Sequence, residues 1–265
     1  MPAPVHPITA IAPTVSAILG VRKPSGGVEQ PIADIAAELS GCQRVAIVAP
    51  DALGLTVWQH WREQMPFLTS LHQRCHLVLR SVSPAVTPVN FAALVTGAVP
   101  EVHGVRSKDD SLRCESLFDV IREAGGRSAG VGRAGFTGGQ LLARYADLSG
   151  RTEDQDDDAV VEMAVGLAHR HSPCFIIAQL GEPDTVFHRV GPSSPEADPV
   201  VLATDERLRQ LVTELTGLGY GVIVLADHSQ HDLPDGDPSG YRGWHDDLVV
   251  PEDALVPCTW VRVPL

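Results

Sequence analysis

Carboxylate and imidazole side chains recur in this sequence shortly after apolar runs. Short apolar runs are typical of buried strands, and the carboxyl ends of parallel strands meet at one edge of a sheet. Carboxylates gathered there would repel one another unless a cation neutralised them, so the pattern predicts a metal site at that edge. The candidate ligands are Asp51, Asp184, His188, Asp227, His228 and His245.

The ligand types limit the choice of metal. Three aspartates and three histidines without a thiolate suit Zn²⁺, with Mn²⁺ as a possible substitute. Asp184 and His188 stand four residues apart, a spacing that places both on one face of a helical turn. Their spacing alone favours a capped turn with a surface histidine over a pair of metal ligands.

Thr87 is the candidate nucleophile. Residues 75–82 predict a strand and residues 88–96 a helix that Gly97 ends, so Thr87 is predicted at the helix N-cap. The free N–H groups and partial positive charge of a helix start suit both a deprotonated hydroxyl and a neighbouring phosphoryl group. Taken alone, however, the pattern favours an ordinary capping threonine.

Composition narrows the class of protein. A chain of 265 residues with 44% hydrophobic residues predicts one large α/β domain. No apolar run is long enough to span a membrane and no export signal is recognisable, so we expect a cytoplasmic protein without a membrane partner. The formal net charge of −13 disfavours a nucleic acid polymer as partner, and five scattered cysteines disfavour a disulfide framework.

The predicted elements describe a single α/β domain with a largely parallel central sheet and helices on both faces. Further strands are predicted at 44–49, 127–131, 175–180, 221–226 and 255–263. Further helices are predicted at 8–19, 31–39, 56–65, 117–124, 160–168 and 199–215. We expect the glycine-rich run 130–139 to be a mobile loop near the site, and the acidic run 154–158 to be a solvated helix start.

The stretch 81–105, SVSPAVTPVNFAALVTGAVPEVHGV, resembles the nucleophile segment of the alkaline phosphatase superfamily. It is most similar to the type I phosphodiesterase/nucleotide pyrophosphatase branch, and the resemblance implies an alkaline-phosphatase-like core. One departure is the order Pro-Val-Asn after the nucleophile, which leaves Pro88 without an N–H and removes one expected phosphate donor. The matching residues are Thr87, Asn90, Thr96, Gly97, Pro100, His103 and Gly104.

The resemblance also implies two divalent metal ions and a reaction. In such a site a Thr87 alkoxide attacks phosphorus in line, and a metal-activated water then hydrolyses the covalent phosphothreonine intermediate. The expected function is a two-metal phosphoester hydrolase, of the phosphodiesterase or phosphatase type, acting on a small phosphorylated substrate. The implied ligands are Asp51, Thr87, Asp227 and His228 for one metal, and Asp184, His188 and His245 for the other.

Substrate contacts are less well defined. The resemblance implies that Asn90 binds substrate, whereas the asparagine expected soon after His103–Gly104 is replaced by Arg106, Ser107 and Lys108. Lys108 is therefore a second candidate for substrate binding, although an exposed loop lysine is an equally good interpretation. The intervals between motifs leave no room for large cap insertions. Phosphonate hydrolysis, phosphoryl-group mutation and non-catalytic metal or phosphate binding stay open as alternatives.

The segment 8–21, ITAIAPTVSAILGV, resembles one that sulfatases and related members carry after their last metal ligand. Here the segment comes first, which predicts a circular permutation within a single domain of residues 1–265. The helix at 11–19 should then pack beside the strand at 255–263. The alternative is an unrelated apolar helix that shares a common pattern.

Overall fold

The computed structural model describes residues 5–154 and 156–262. The strands are β1 Val5–Pro7, β2 Val45–Pro50, β3 Leu77–Arg80, β4 Ser128–Arg133, β5 Leu148–Thr152, β6 Phe175–Leu180, β7 Gly221–Leu225, β8 His231–Asp232, β9 Gly243–Trp244 and β10 Leu255–Val261. The α-helices are α1 Ile11–Leu19, α2 Ala33–Glu38, α3 Leu55–Trp61, α4 Pro66–Arg74, α5 Thr87–Thr96, α6 Pro100–His103, α7 Leu117–Glu123, α8 Ala143–Tyr145, α9 Asp157–His171, α10 Glu182–Val190 and α11 Asp198–Gly217.

Eight of these strands form one sheet in the order β1-β3-β10-β7-β2-β6-β4-β5. Every neighbouring pair in that order is parallel except the two pairs that include β10, which is antiparallel to both β3 and β7. The central strands β2, β6 and β7 are buried along their whole length, as expected for strands covered on both faces. The predicted largely parallel α/β fold is confirmed.

The direction of each crossover assigns the helices to the two faces. The connections from β2 to β3, from β5 to β6 and from β6 to β7 run one way across the sheet, whereas those from β1 to β2 and from β3 to β4 run the other way. Because parallel crossovers are right-handed, α3, α4, α9, α10 and α11 cover one face, and α1, α2, α5 and α7 cover the other. Helices α5 and α10, which carry Thr87 and Asp184, therefore approach the site from opposite faces.

The start of the chain adds an edge strand that the sequence did not predict. β1 pairs with β3, and Val5 and Pro257 are both register partners of Val78. Helix α1 packs against α2, α5 and β2. Val263, the predicted end of the last strand, lies outside the described residues. Both the single-domain assignment and the circular permutation stay predictions.

The glycine-rich run is not the loop that we expected. Its first part belongs to β4, and its second part begins a π-helix, Gly138–Leu142. A Cβ atom on Gly132 would lie 2.6 Å from Gly138 Cα, so glycine is required where the π-helix packs directly on the strand. The five cysteines are free, as expected. Within the described ranges, no helix combines the length and apolar character needed to cross a membrane.

Candidate active site

The carboxyl ends of β2 and β7 bring Asp51, Asp227 and His228 together. One ligand atom of each residue lies within 4.8 Å of the ligand atoms of the other two. All three side chains are buried, with at most 1% of their surface exposed. Asp227 lies two residues after the end of β7, and Asp51 directly follows β2, the neighbour of β7 on the sheet. The parallel pairing of β2 with β7 therefore creates this first ligand group.

Thr87 lies against the first ligand group. Its Oγ1 donates a hydrogen bond to Asp51 Oδ1 at 3.2 Å and lies 3.1 Å from His228 Nε2. The predicted N-cap position is wrong by one residue. Val86 is the N-cap because its backbone is extended and its carbonyl accepts the Asn90 N–H, so Thr87 is the first residue of α5.

The ring of His228 is oriented by the backbone. Its Nδ1 is 3.1 Å from the Ser229 carbonyl oxygen, which can only accept, so Nδ1 carries the proton in the neutral ring. Nε2 then presents a lone pair to Thr87 Oγ1, whose own hydrogen is directed at Asp51. Lone pairs that face each other in this way fit a cation between them.

Burial opposes ionisation of the two aspartates in the first ligand group. It raises the pKa of Asp51 well above its usual range, and the neighbouring charges of Asp227 and Asp184 raise that pKa further. Burial also raises the pKa of Asp227. The Oδ2 atom of Asp227 is buried and has no hydrogen-bond partner among the described residues. A divalent cation would satisfy this oxygen and restore both carboxylates to their charged form.

The second ligand group contains Asp184, His188 and His245. One ligand atom from each again lies within 4.8 Å of the others. Asp184 and His188 share one face of α10, as their spacing predicted, and His188 Nε2 is 3.3 Å from Asp184 Oδ1. His188 Nδ1 donates to the Gly243 carbonyl at 2.8 Å, so its Nε2 is the atom available to a metal. The alternative of a surface histidine is excluded because this side chain is only 17% exposed.

The pKa values of the three residues in the second ligand group are shifted in different directions. Burial works against the charge of Asp184, but the hydrogen bond from His188 and nearby imidazoles outweigh it and lower the pKa of Asp184. Burial likewise opposes the charged form of His188, yet Asp184 raises the pKa of His188. Burial, together with His228, lowers the pKa of His245 to about 3. His245 is therefore a neutral imidazole near pH 7, the form that binds metals.

The two groups are contiguous. The rings of His228 and His245 have their centroids 4.3 Å apart, and those of His188 and His245 are separated by 5.3 Å. The donor set of three carboxylates, three imidazoles and one hydroxyl, with no thiolate, is suited to divalent cations. The geometry thus brings together all seven predicted metal ligands.

Two buried glutamines position the aspartates, and neither was predicted from the sequence. Gln179, on β6, donates to Asp51 Oδ2 and accepts the backbone N–H of Gly138. Gln230 donates to Asp184 Oδ1 at 2.7 Å. A polar residue inside the apolar strand FIIAQL was the available signal for Gln179, because a buried amide needs partners.

Backbone geometry and a capping aspartate complete the framework. Ala52 has a left-handed φ of 61°, and its N–H donates to Asp227 Oδ1 at 3.3 Å. Helix α9 begins in the acidic run, as expected, and Asp156 and Asp158 are exposed, but Asp157 is buried and accepts the N–H groups of Gly181 and Glu182 at the start of α10. Burial raises the pKa of Asp157 to about 6. Asp157 thereby fixes the helix that carries Asp184.

The two residues predicted to bind substrate, Asn90 and Lys108, make hydrogen bonds to the backbone of neighbouring loops. Asn90 is buried, and its amide holds the preceding loop through the backbone N–H and carbonyl of Val82 and the carbonyl of Val86. The Lys108 ammonium group donates to the Gly135 carbonyl and lines a separate cavity that includes Arg144. In this structure neither side chain is joined to Thr87 or the metal ligands, so their substrate contacts stay predictions.

A known protein family matches most of this chain. The family model described as type I phosphodiesterase / nucleotide pyrophosphatase matches residues 45–113 and 133–261, a range that includes every predicted metal ligand. Among curated proteins, none matches this sequence.

Solved structures share the fold at low sequence identity. A phosphonoacetate hydrolase from Sinorhizobium meliloti 1021, in complex with phosphonoacetate, superposes with a TM-score of 0.58 and 22% identity. The match covers 73% of this chain and 58% of that chain. Murine ectonucleotide pyrophosphatase / phosphodiesterase 5 superposes with a TM-score of 0.58 and 20% identity, covering 73% of this chain and 59% of that chain. The match therefore spans less than two thirds of the length of either structure.

Proposed function

Because this chain belongs to the type I phosphodiesterase / nucleotide pyrophosphatase family, we propose that it is a divalent-metal-dependent hydrolase of phosphoric esters. The observation that carries the proposal is the position of Thr87 Oγ1, 3.1 Å from His228 Nε2 and 3.2 Å from Asp51 Oδ1. An ordinary capping threonine would direct its hydroxyl at backbone N–H groups. The Thr87 hydroxyl is instead directed at two side chains that could bind a metal.

Thr87 is the proposed nucleophile and forms a covalent phosphothreonine intermediate. Its hydroxyl hydrogen is directed at Asp51, which leaves an oxygen lone pair for attack on phosphorus. Metal ions held by the two ligand groups would lower the pKa of the hydroxyl and neutralise charge on the phosphoryl oxygens. Asp51, Asp227 and His228 would hold the metal beside Thr87, and Asp184, His188 and His245 the other. Zinc suits this donor set, with manganese as a substitute.

The first ligand group also orients the nucleophile. Burial of Asp51 and His228 excludes water from one side of Thr87 and keeps its hydroxyl within hydrogen-bond distance of both residues. A hydroxyl held in this geometry loses little entropy on reaction. Water reaches the opposite, open side, where it would hydrolyse the phosphothreonine in the second half of the reaction.

The substrate is a small phosphorylated molecule. A phosphonate is a second candidate, since phosphonoacetate is the ligand named for one structural neighbour. Phosphoryl-group mutation would use the same ligands, and a non-catalytic metal-binding protein would have them without turnover. A panel of phosphate monoesters, diesters and phosphonates, with the products identified by phosphorus NMR, separates these four outcomes, because an isomerised ester, released phosphate and unchanged substrate give different spectra.

The test compares the wild type with Thr87→Ala and the matched control Thr87→Ser. Each protein is loaded with zinc or manganese, its metal content is measured, and it is assayed on the panel. We expect turnover in the wild type, none in Thr87→Ala despite retained metal, and residual turnover in Thr87→Ser because a hydroxyl remains. Acid quenching of the wild type should trap phosphate on Thr87, detectable by peptide mass spectrometry. Undiminished turnover in Thr87→Ala would refute the assigned nucleophile.

A further inference from the structure

The rim beside the second ligand group is aromatic. Tyr241 is 45% exposed and Trp244 is 38% exposed, and they are the two aromatic side chains among the exposed large hydrophobic residues of the described ranges. Aromatic residues make up only 5% of the sequence. Two exposed rings at one place in such a chain are unexpected for a surface with no binding role.

Both rings contact the metal-ligand histidines. The ring centroid of His188 lies 5.2 Å from that of Tyr241 and 5.4 Å from that of Trp244. Tyr241 and Trp244 are themselves 5.2 Å apart, and Trp244 is stacked on His245 with an interplanar angle of 5°. We call Tyr241 and Trp244 together the aromatic ledge.

The aromatic ledge is held firmly in place. Arg242 donates its N–H to the His188 carbonyl at 2.8 Å, and Trp244 pairs with His231 in the β8–β9 ribbon. A Cβ atom on Gly243 would lie 2.4 Å from the Phe187 carbonyl oxygen, so only glycine lets the ribbon approach α10 this closely. The exposed rings are thus preorganised.

The position of the ledge relative to Thr87 indicates which part of a substrate it would meet. Thr87 contacts Asp51 and His228 in the first ligand group, whereas Tyr241 and Trp244 contact His188 and His245 in the second. In an in-line displacement the leaving group departs opposite the attacking oxygen. An ester oxygen that leaves a phosphorus attacked by Thr87 is therefore directed toward the second group and its aromatic rim.

We propose that Tyr241 and Trp244 form a stacking subsite for a planar aromatic leaving group. This inference rests on the proposed function and adds a substrate class to it, namely phosphate esters of aryl or arylmethyl alcohols. Offset stacking of aromatic rings strengthens binding by about 3- to 10-fold beyond the burial of apolar area. A saturated ring of similar size gains the burial but not the stacking.

Non-hydrolysable probes test the subsite by binding rather than turnover. The zinc-loaded protein is titrated by calorimetry with benzylphosphonate and with cyclohexylmethylphosphonate, which differ in ring planarity. We expect the wild type to prefer benzylphosphonate by about 3- to 10-fold. Trp244→Leu and Tyr241→Leu should each reduce this preference toward unity. The control Leu202→Ala, at an exposed apolar position on α11, should keep the full preference.

The outcomes separate the inference from the proposed function. Equal affinity of the wild type for both phosphonates would overturn the subsite, while continued hydrolysis of the ester panel would leave the proposed function intact. Failure to bind either phosphonate, together with no turnover, would overturn both. Retained preference in both leucine variants would also overturn the subsite.

Discussion

Replacing Gln179 with methionine should destabilise the protein more than replacing Gln230 with methionine, because the two amide oxygens differ in their hydrogen bonds. Both glutamines are buried and both donate to a metal-ligand aspartate. The Gln179 oxygen accepts the Gly138 N–H, whereas the Gln230 oxygen is buried without a partner among the described residues. Methionine has a similar length and leaves no large cavity.

The expected loss of stability depends on how many buried polar groups lose their hydrogen-bond partner. Each buried polar group that loses its partner costs about 1–3 kcal/mol. Gln179→Met leaves two such groups, Asp51 Oδ2 and the Gly138 N–H, so it should lower the free energy of unfolding by about 2–6 kcal/mol. Gln230→Met removes one hydrogen bond, to Asp184, whose carboxylate still contacts His188. The substitution also removes a buried amide oxygen that had no hydrogen-bond partner among the described residues. Its cost should be at most about 1–3 kcal/mol.

Urea unfolding of the metal-free proteins at pH 7, followed by far-ultraviolet circular dichroism, gives the comparison. Midpoints can be compared directly if the dependence on urea is the same for all three proteins. If Gln230→Met is destabilised as much as Gln179→Met, or more, the contacts assigned to the two amides do not govern stability and the reasoning is refuted.

Two further predictions concern the metals. Metal affinity should fall as the pH is lowered, by up to about tenfold per pH unit for each proton displaced, because the raised pKa values of Asp51, Asp227 and His188 let protons compete with the metal at a higher pH than they would at unperturbed groups. Calorimetry in buffers of different ionisation enthalpy measures the protons released, and a pH-independent affinity would contradict this prediction. Asp227→Ala and His188→Ala should each lower the metal content of gel-filtered protein, and elemental analysis equal to wild type would count against the assigned ligands.

The sequence predicted the parts of the site that depend on local pattern. Buried strands, recognisable as apolar runs, place Asp51, Asp184 and Asp227 at one sheet edge, and the Asp184–His188 spacing predicted their common helix face. The family resemblance is confirmed by the match over residues 45–113 and 133–261. The predicted cytoplasmic location stays a prediction.

The features that the sequence did not predict depend on contacts between segments that are distant in the chain. Gln179 and Gln230 acquire their roles from aspartates on other strands, which no local pattern encodes. The run 130–139 looks like a loop by composition, but its glycines allow a π-helix to pack on β4. Asn90 matches the family motif, yet its amide is occupied by the loop before α5. Spacing identified that residue but could not show which way its side chain is directed.

The position of β10 has a consequence for biosynthesis. Among the described strands, β3, which leads to Thr87, is hydrogen-bonded to the central strands only through β10, a strand formed from residues far later in the chain. Contacts between segments so distant in sequence form slowly, and domains emerge from the ribosome with their N-terminal parts first. We therefore expect a nascent chain that ends before residue 255 to pair β2 with β6 while β3 is not yet part of the central sheet and α5 is held by neighbouring helices such as α1. The position of Thr87 relative to the metal ligands would then become fixed only once β10 has paired with β3 and β7.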